Sequence, residues 1–294
     1  MRCEGVFTVV PTAFHDDGSL DLDGTANVVA ACGDAGVAGV LTLGVMGEVG
    51  DLDLDEQRRV ITTVQRAAGG LPVVVGLGDP GPEQLAAARR ATDLGADALL
   101  MGLADGDADR RAGLLDSAAS IGPPVILQHH PAATGVHVPI EEVVSLASNG
   151  TAIGVKAEAP PTPDLIAALV AANAPPALGG LSALYLLEEL EVGAAGCMTG
   201  LAIPELLVEV VGAWLGGNPT AAQDAYLRLV PYLRLEAMPG RLGLVARKEA
   251  WRQRGLLLSS RVRRGVPLGT PTKAAITRRL RDVGVDLVAP WPDA

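Results

Sequence analysis

The sequence predicts an α/β fold, a (β/α)8 TIM barrel with a C-terminal helical extension. Three observations point there. Short β-rich runs alternate with longer helical patterns, the signature of parallel βα units. Eight such units span roughly 215 residues, near the lower end of barrel size. No G-x-G-x-x-G follows the first strand, so the fingerprint of an open dinucleotide-binding sheet is missing.

The strand candidates come in a regular order. They are "GVFTVVPT" (5–12), "AGVLTLG" (38–44), "PVVVGLG" (72–78), "ADALLMG" (96–102), "PPVILQHH" (123–130), "TAIGVKA" (151–157), "PALGG" (176–180) and "GAAGCMTG" (193–200). Each is a short apolar run, most of them bounded by Gly or Pro, as buried strands are. Between them lie helical patterns such as 55–70, 82–95, 140–150 and 162–173, several of which close on Gly or Asn. "GLGDPG" at 76–81 follows the third strand and reads as an ordinary βα turn. Strand signals stop near residue 218. The expected division is therefore a catalytic barrel over 1–218 and a helical extension packed on it over 219–294.

Composition narrows the function. With 49% hydrophobic and only 3% aromatic residues, the core must be built from Ala, Val, Leu and Ile. A net charge of −11 argues against a nucleic-acid or anionic-membrane partner. The basic residues in "LVARKEAWRQRG", "SSRVRRG" and "ITRRLRD" are spaced like solvated helix faces. Three cysteines without metal-type spacing suggest a reducing compartment. "MRCEGVFTVV" has no basic region followed by a long apolar one, so no signal peptide is expected, and no apolar run reaches the ~18 residues of a membrane span. The expectation is a cytoplasmic protein. No His/Asp/Glu cluster has ligand spacing, so neither a metal nor an organic cofactor is expected.

One residue is out of character. Lys156 sits in the apolar sixth strand, near the end where barrel enzymes place their chemistry. A lysine is almost never fully buried unless something compensates. An amine must be neutral to attack a ketone, and an ordinary lysine is so only about once in ~2500 at pH 7. Apolar neighbours such as Ile153 and Val155 disfavour the ammonium. Two readings stand at this point: a nucleophile, or a structural lysine paired with Glu158, two residues on and on the same strand face.

Several segments resemble the dihydrodipicolinate synthase / N-acetylneuraminate lyase family. "LGVMGE" (43–48) resembles its G-x-x-G-E signature, and "ILQHHPAATG" (126–135) lies where the family has Y-N-x-P. "IGVKAE" (153–158) resembles its I-x-G-x-K motif. "GAAGCMTGLAIP" (193–204), which contains Thr199, resembles its G-a-x-G-x-x-S/T segment. "VPTAFHDDGSLD" (10–21) resembles its opening T-P-F-x-x-D-G-x-x-D. The resemblance implies a (β/α)8 barrel, usually a homotetramer, in which Lys156 forms a Schiff base with a small 2-oxo acid. The iminium then serves as an electron sink for bond breaking between C3 and C4 or for proton loss at C3.

The sequence departs from the family in informative places. Val45 and Met46 stand where two hydroxyl residues usually hold the substrate carboxylate, leaving loop N–H groups and Thr12 for that task. Gln128 replaces the proton-relaying tyrosine, and an amide is neither acid nor base at neutral pH. Ala133 replaces the arginine that synthases use, and "MGLADGDADR" after the fourth strand has no tyrosine. With "EAPPTP" after the lysine, the chain resembles a branch that includes 2-keto-3-deoxy sugar acid dehydratases. Glu158 and His130 are the candidates to carry the proton, with a raised Glu158 pKa expected in an apolar barrel mouth. His129 has the opposite parity and should face the helices. Backbone carbonyls at Gly180 and Met198 are expected to shape the pocket. Glu48 is expected to accept backbone hydrogen bonds in its turn. The expectation is a Schiff-base aldolase or dehydratase. The alternatives are a 4-hydroxy-tetrahydrodipicolinate synthase with altered substrate contacts, and an inactive barrel that binds a keto acid or serves as a scaffold.

Overall fold

The chain was studied as a computed structural model, which describes residues 1–288; the last part of the expected extension, 289–294, lies outside the described residues. Eight strands appear where the sequence places them: β1 Gly5–Val9, β2 Gly39–Thr42, β3 Val73–Gly76, β4 Ala98–Gly102, β5 Val125–His129, β6 Ala152–Ala157, β7 Ala177–Gly179 and β8 Gly196–Thr199. They pair in parallel in chain order, and β8 pairs back to β1 to close a barrel. The strands are shorter than the apolar runs. β1, for example, ends short of Pro11, which has no N–H to extend a ladder.

The helices that follow the strands are α1 Leu22–Asp34, α2 Leu54–Ala67, α3 Glu83–Asp93, α4 Ala108–Ala119, the short α5 Pro131–Thr134, α6 Ile140–Ser148, α7 Thr162–Ala171, α8 Leu186–Glu191 and α9 Pro204–Leu215. Strand parity divides the core in two. Phe7, Leu41, Val74, Leu100, Ile126, Leu178 and Met198 fill the barrel interior. Val6, Val40, Val75, Leu99, Leu127 and Val155 point the other way, into the layer between strands and helices. Val155 therefore packs on helices, and the inward-facing residue in register with Lys156 on the next strand is Leu178.

The extension consists of α10 Pro219–Glu236, α11 Arg241–Gln253 and α12 Thr270–Asp282. The basic run at 244–255 is not the solvated face that its spacing suggests. Arg247, Lys248 and Glu249 are all buried. Lys248 donates to Glu48 and, at 2.8 Å, to the carbonyl of Arg261, and it stands 4.4 Å over the ring of Phe14. Burial pushes its amine down to about 8, against the opposing pull of Glu48. Glu48 also accepts the backbone N–H of Arg263 at 2.9 Å. Its partners thus come from the extension and not from its own turn. Breaking such a buried pair by removing one partner costs about 3–5 kcal/mol, so this clamp fixes α11 over the mouth of the barrel. All three cysteines are free and buried. Among the described residues no helix is long and apolar enough to cross a membrane.

Candidate active site

Register brings the expected residues to one end of the barrel. Gln128 on β5, Lys156 on β6 and Leu178 on β7 are in register, so their side chains all point inward. Lys156 is 5% exposed, and its Nζ lies 3.1 Å from Oε2 of Glu158. The same oxygen accepts a hydrogen bond from Nε2 of Gln128 at 2.6 Å and faces Nδ1 of His130 at 3.6 Å. The other carboxylate oxygen accepts the N–H of Leu181 at 3.4 Å. The lysine is therefore both paired and inside the pocket. The two readings of Lys156 left by the sequence are compatible.

The electrostatics differ from the sequence expectation at Glu158. Burial is the largest single influence and raises its pKa. Lys156, His130 and Gln128 together outweigh it, and the carboxyl sits below its ordinary value. Glu158 is thus an ionised acceptor at neutral pH and not a stored acid. His130 also shifts down, because burial outweighs the attraction of Glu158, so it is a neutral imidazole at pH 7. His129 lies on the opposite side of β5. Burial holds it below its ordinary value, and a backbone hydrogen bond with Val138 opposes the shift.

Glu158 is held by an unusual turn. Leu181, Ser182 and Ala183 take φ values of 44°, 56° and 60°, three successive left-handed residues that are not glycine. Each costs about 1–2 kcal/mol. The turn is tied at both ends. The N–H of Leu181 bonds Glu158, and the hydroxyl of Tyr226 lies 2.9 and 2.8 Å from the carbonyls of Ala183 and Leu184. Gly180 precedes it because a Cβ there would lie 2.2 Å from Cγ of Glu158. Its part is to make room for the carboxylate.

A cavity of about 510 Å³ opens over this cluster. Lys156, Glu158, Gln128, His130, Val45, Met46, Ala133 and Thr199 all line it. Val45 and Met46 present apolar side chains, and Ala133 presents no cation. Thr12, Gly180 and Met198 are not among the lining residues. Thr12 is buried, with its hydroxyl donated to the carbonyl of Gly47 at 2.6 Å, and Met198 belongs to the inner core. Ser182, Tyr185, Glu236 and Arg247 also line the cavity and were not expected. No strand periodicity leads to them, and a basic residue in a highly charged helix gives no sign of facing inward.

The model of the dihydrodipicolinate synthetase family matches residues 2–274. The chain belongs to that family. The 4-hydroxy-tetrahydrodipicolinate synthase of Methanothrix thermoacetophila is 32% identical over 264 residues, covering 86% of this chain and 87% of that one. The L-2-keto-3-deoxyarabonate dehydratase of Azospirillum brasilense is 32% identical over 299 residues, 95% of each chain. The crystal structure of dihydrodipicolinate synthase from Rhodopseudomonas palustris superposes with a TM-score of 0.88 at 27% identity, covering 95% of this chain and 97% of that one. Members of the family are lyases, and this chain is a lyase of the same (β/α)8 class.

Proposed function

We propose that the protein is a class I lyase in which Lys156 condenses with a small 2-oxo acid, and that its reaction is the dehydration or aldol cleavage of a 2-keto-3-deoxy sugar acid. The observation that carries this is the contact of a buried lysine amine with an ionised carboxylate inside a ligand-sized cavity. Glu158 takes a proton from Nζ, and the freed amine attacks the C2 carbonyl. That proton and a second one from the attacking nitrogen pass through Glu158 to the C2 oxygen, which leaves as water, and the iminium stays opposite the Glu158 carboxylate. For dehydration Glu158 takes the proton at C3 and returns it to the C4 hydroxyl, which leaves as water; for cleavage it takes the proton of the C4 hydroxyl as the C3–C4 bond breaks into an aldehyde and an enamine. Gln128 holds Glu158 in place and moves no proton itself. We place the enzyme in the cytoplasm as a homo-oligomer, in line with its free cysteines and its family.

The test is incubation with pyruvate or a 2-keto-3-deoxy sugar acid plus borohydride. The expected result is covalent addition of the acid at Lys156, read by peptide mass spectrometry. Absence of an adduct with any 2-oxo acid at saturating ligand overturns the Schiff-base reading.

The sugar-acid reading is favoured over a synthase by Gln128 and Ala133, which supply neither a phenol nor a guanidinium. Condensation of pyruvate with aspartate semialdehyde should be poor or absent. Loss of a charge-assisted contact costs roughly 1.5–3 kcal/mol, and loss of a positioned proton donor about 10²–10⁴ in rate. A turnover near 10 per second, ordinary for an enzyme, overturns that part.

A further inference from the structure

The mechanism proposed above leaves one buried cation in the same cavity without a task. Arg247, on α11, is 1% exposed. Its Nε donates to Oε2 of Glu236 at 2.8 Å, and its Nη2 to the hydroxyl of Ser182 at 3.3 Å. Among the described residues its Nη1 has no hydrogen-bond partner. A buried guanidinium nitrogen without a partner carries the desolvation penalty of a charged group. The surroundings are built to keep it there. Glu236 is itself held by the N–H of Ala202 at 3.0 Å and by the hydroxyl of Tyr232. A Cβ on Gly200, just past β8, would lie 2.7 Å from Nη1 and 2.9 Å from the carbonyl oxygen of Val9, so glycine leaves room for both.

Position decides what this nitrogen serves. Arg247 touches Ser182, and the preceding residue, Leu181, donates its N–H to Glu158. The Leu181–Ser182 backbone therefore joins Glu158 to Arg247. In the proposed reaction Glu158 works at C3 and C4, so a substrate tail that passes Glu158 runs toward the Leu181–Ser182 turn and Arg247. The other guanidinium at the cavity, Arg241, is committed to Asp51 at 2.5 Å and to Glu48 at 3.4 Å. A guanidinium offers donors only, in a planar fork whose best match is an oxyanion.

We propose that Arg247 is a specificity-determining residue that binds a second carboxylate at the end of the substrate remote from the keto acid, so that the preferred substrates are 2-oxo diacids of the 3-deoxy sugar acid type. This rests on the assignment of C2 to Lys156.

The test compares chain-matched ligands, 2-oxoadipate against 2-oxohexanoate and 2-oxoglutarate against 2-oxovalerate. Equilibrium binding is read by ligand-observed NMR on Lys156→Ala, where no Schiff base forms. The expected result is tighter binding of the diacid by about tenfold to a hundredfold, the range of a charge-assisted contact. Arg247→Met alone leaves Glu236 buried and unpaired, so the variant to use is Arg247→Met with Glu236→Gln, its fold checked by circular dichroism. If that pair does not fold, Arg247→Lys, which keeps the charge and loses the fork, replaces it. In the variant the diacid preference collapses severalfold or more while pyruvate binding is unchanged. No diacid preference in the parent background, an undiminished preference in the variant, or an equal loss for pyruvate overturns the assignment. Borohydride trapping on the unmodified enzyme tests the Schiff base separately, so the failure of one reading is distinguishable from that of the other.

Discussion

Replacing Glu189 by Gln should stabilise the protein at alkaline pH and leave it nearly unchanged at acid pH. Glu189 lies on α8 with no exposed surface. One of its oxygens accepts the hydroxyl of Thr162 at 2.5 Å, and the other has no partner among the described residues. Burial pushes its carboxyl up to about 7 from an ordinary 4.5; the Thr162 hydrogen bond opposes this, and the negative charges of Glu158 and Glu188 add to it. Below pH 4.5 the carboxyl is protonated in both folded and unfolded chains, and its stabilising contribution is complete. Between 4.5 and about 7 the unfolded chain loses the proton while the folded chain keeps it, so stability falls as pH rises. Above about 7 the folded chain ionises too and the loss is complete. A displacement from 4.5 to about 7 corresponds to about 3 kcal/mol. Glutamine keeps the shape and the bond from Thr162 without a proton to lose. Urea unfolding of parent and variant, followed by circular dichroism from pH 4.5 to 9, should give midpoints that coincide at the acid end and diverge in favour of Glu189→Gln above pH 7. Parallel curves with no divergence would refute the assignment of Glu189 as a carboxyl held protonated by burial.

Two further outcomes follow from the same geometry. Glu158→Gln should lower turnover by ~10² or more while borohydride trapping at Lys156 persists at alkaline pH, and His130→Asn, which removes a neutral imidazole 3.6 Å from the carboxylate, should cost far less; the reverse order would make His130 the proton carrier. Gly180→Ala puts a methyl where Glu158 now lies, so turnover should fall about as far as in Glu158→Gln while Thr134→Ala, on α5 at the rim, leaves it unchanged; an active Gly180→Ala enzyme would show that Glu158 need not be where it stands.

Much of this protein is determined by sequence alone, and the reason is local periodicity. Alternating β-rich and helical runs pointed to eight parallel strands, because each run carries its own signal of length, branching and bounding Gly or Pro; the length of the βα part and the missing G-x-G-x-x-G favoured a closed barrel over an open sheet. Strand parity paired Glu158 with Lys156 on one strand and His130 with Gln128 on another, with His129 on the opposite face, because side chains along a strand leave alternate faces. The family motifs pointed to Lys156 on the same footing. Tertiary structure decided what parity cannot. It brought Oε2 of Glu158 to Lys156, Gln128 and His130 together, which lowers the pKa that burial alone would raise. It turned the basic run of α11 inward, so that Lys248 clamps Glu48 and Arg247 faces the cavity. A helical sequence with charges on every side does not say which side will be covered. That depends on the partners waiting there, here Glu48, Glu236 and Ser182, which lie far from α11 in the chain or on another helix and meet it only in the folded protein.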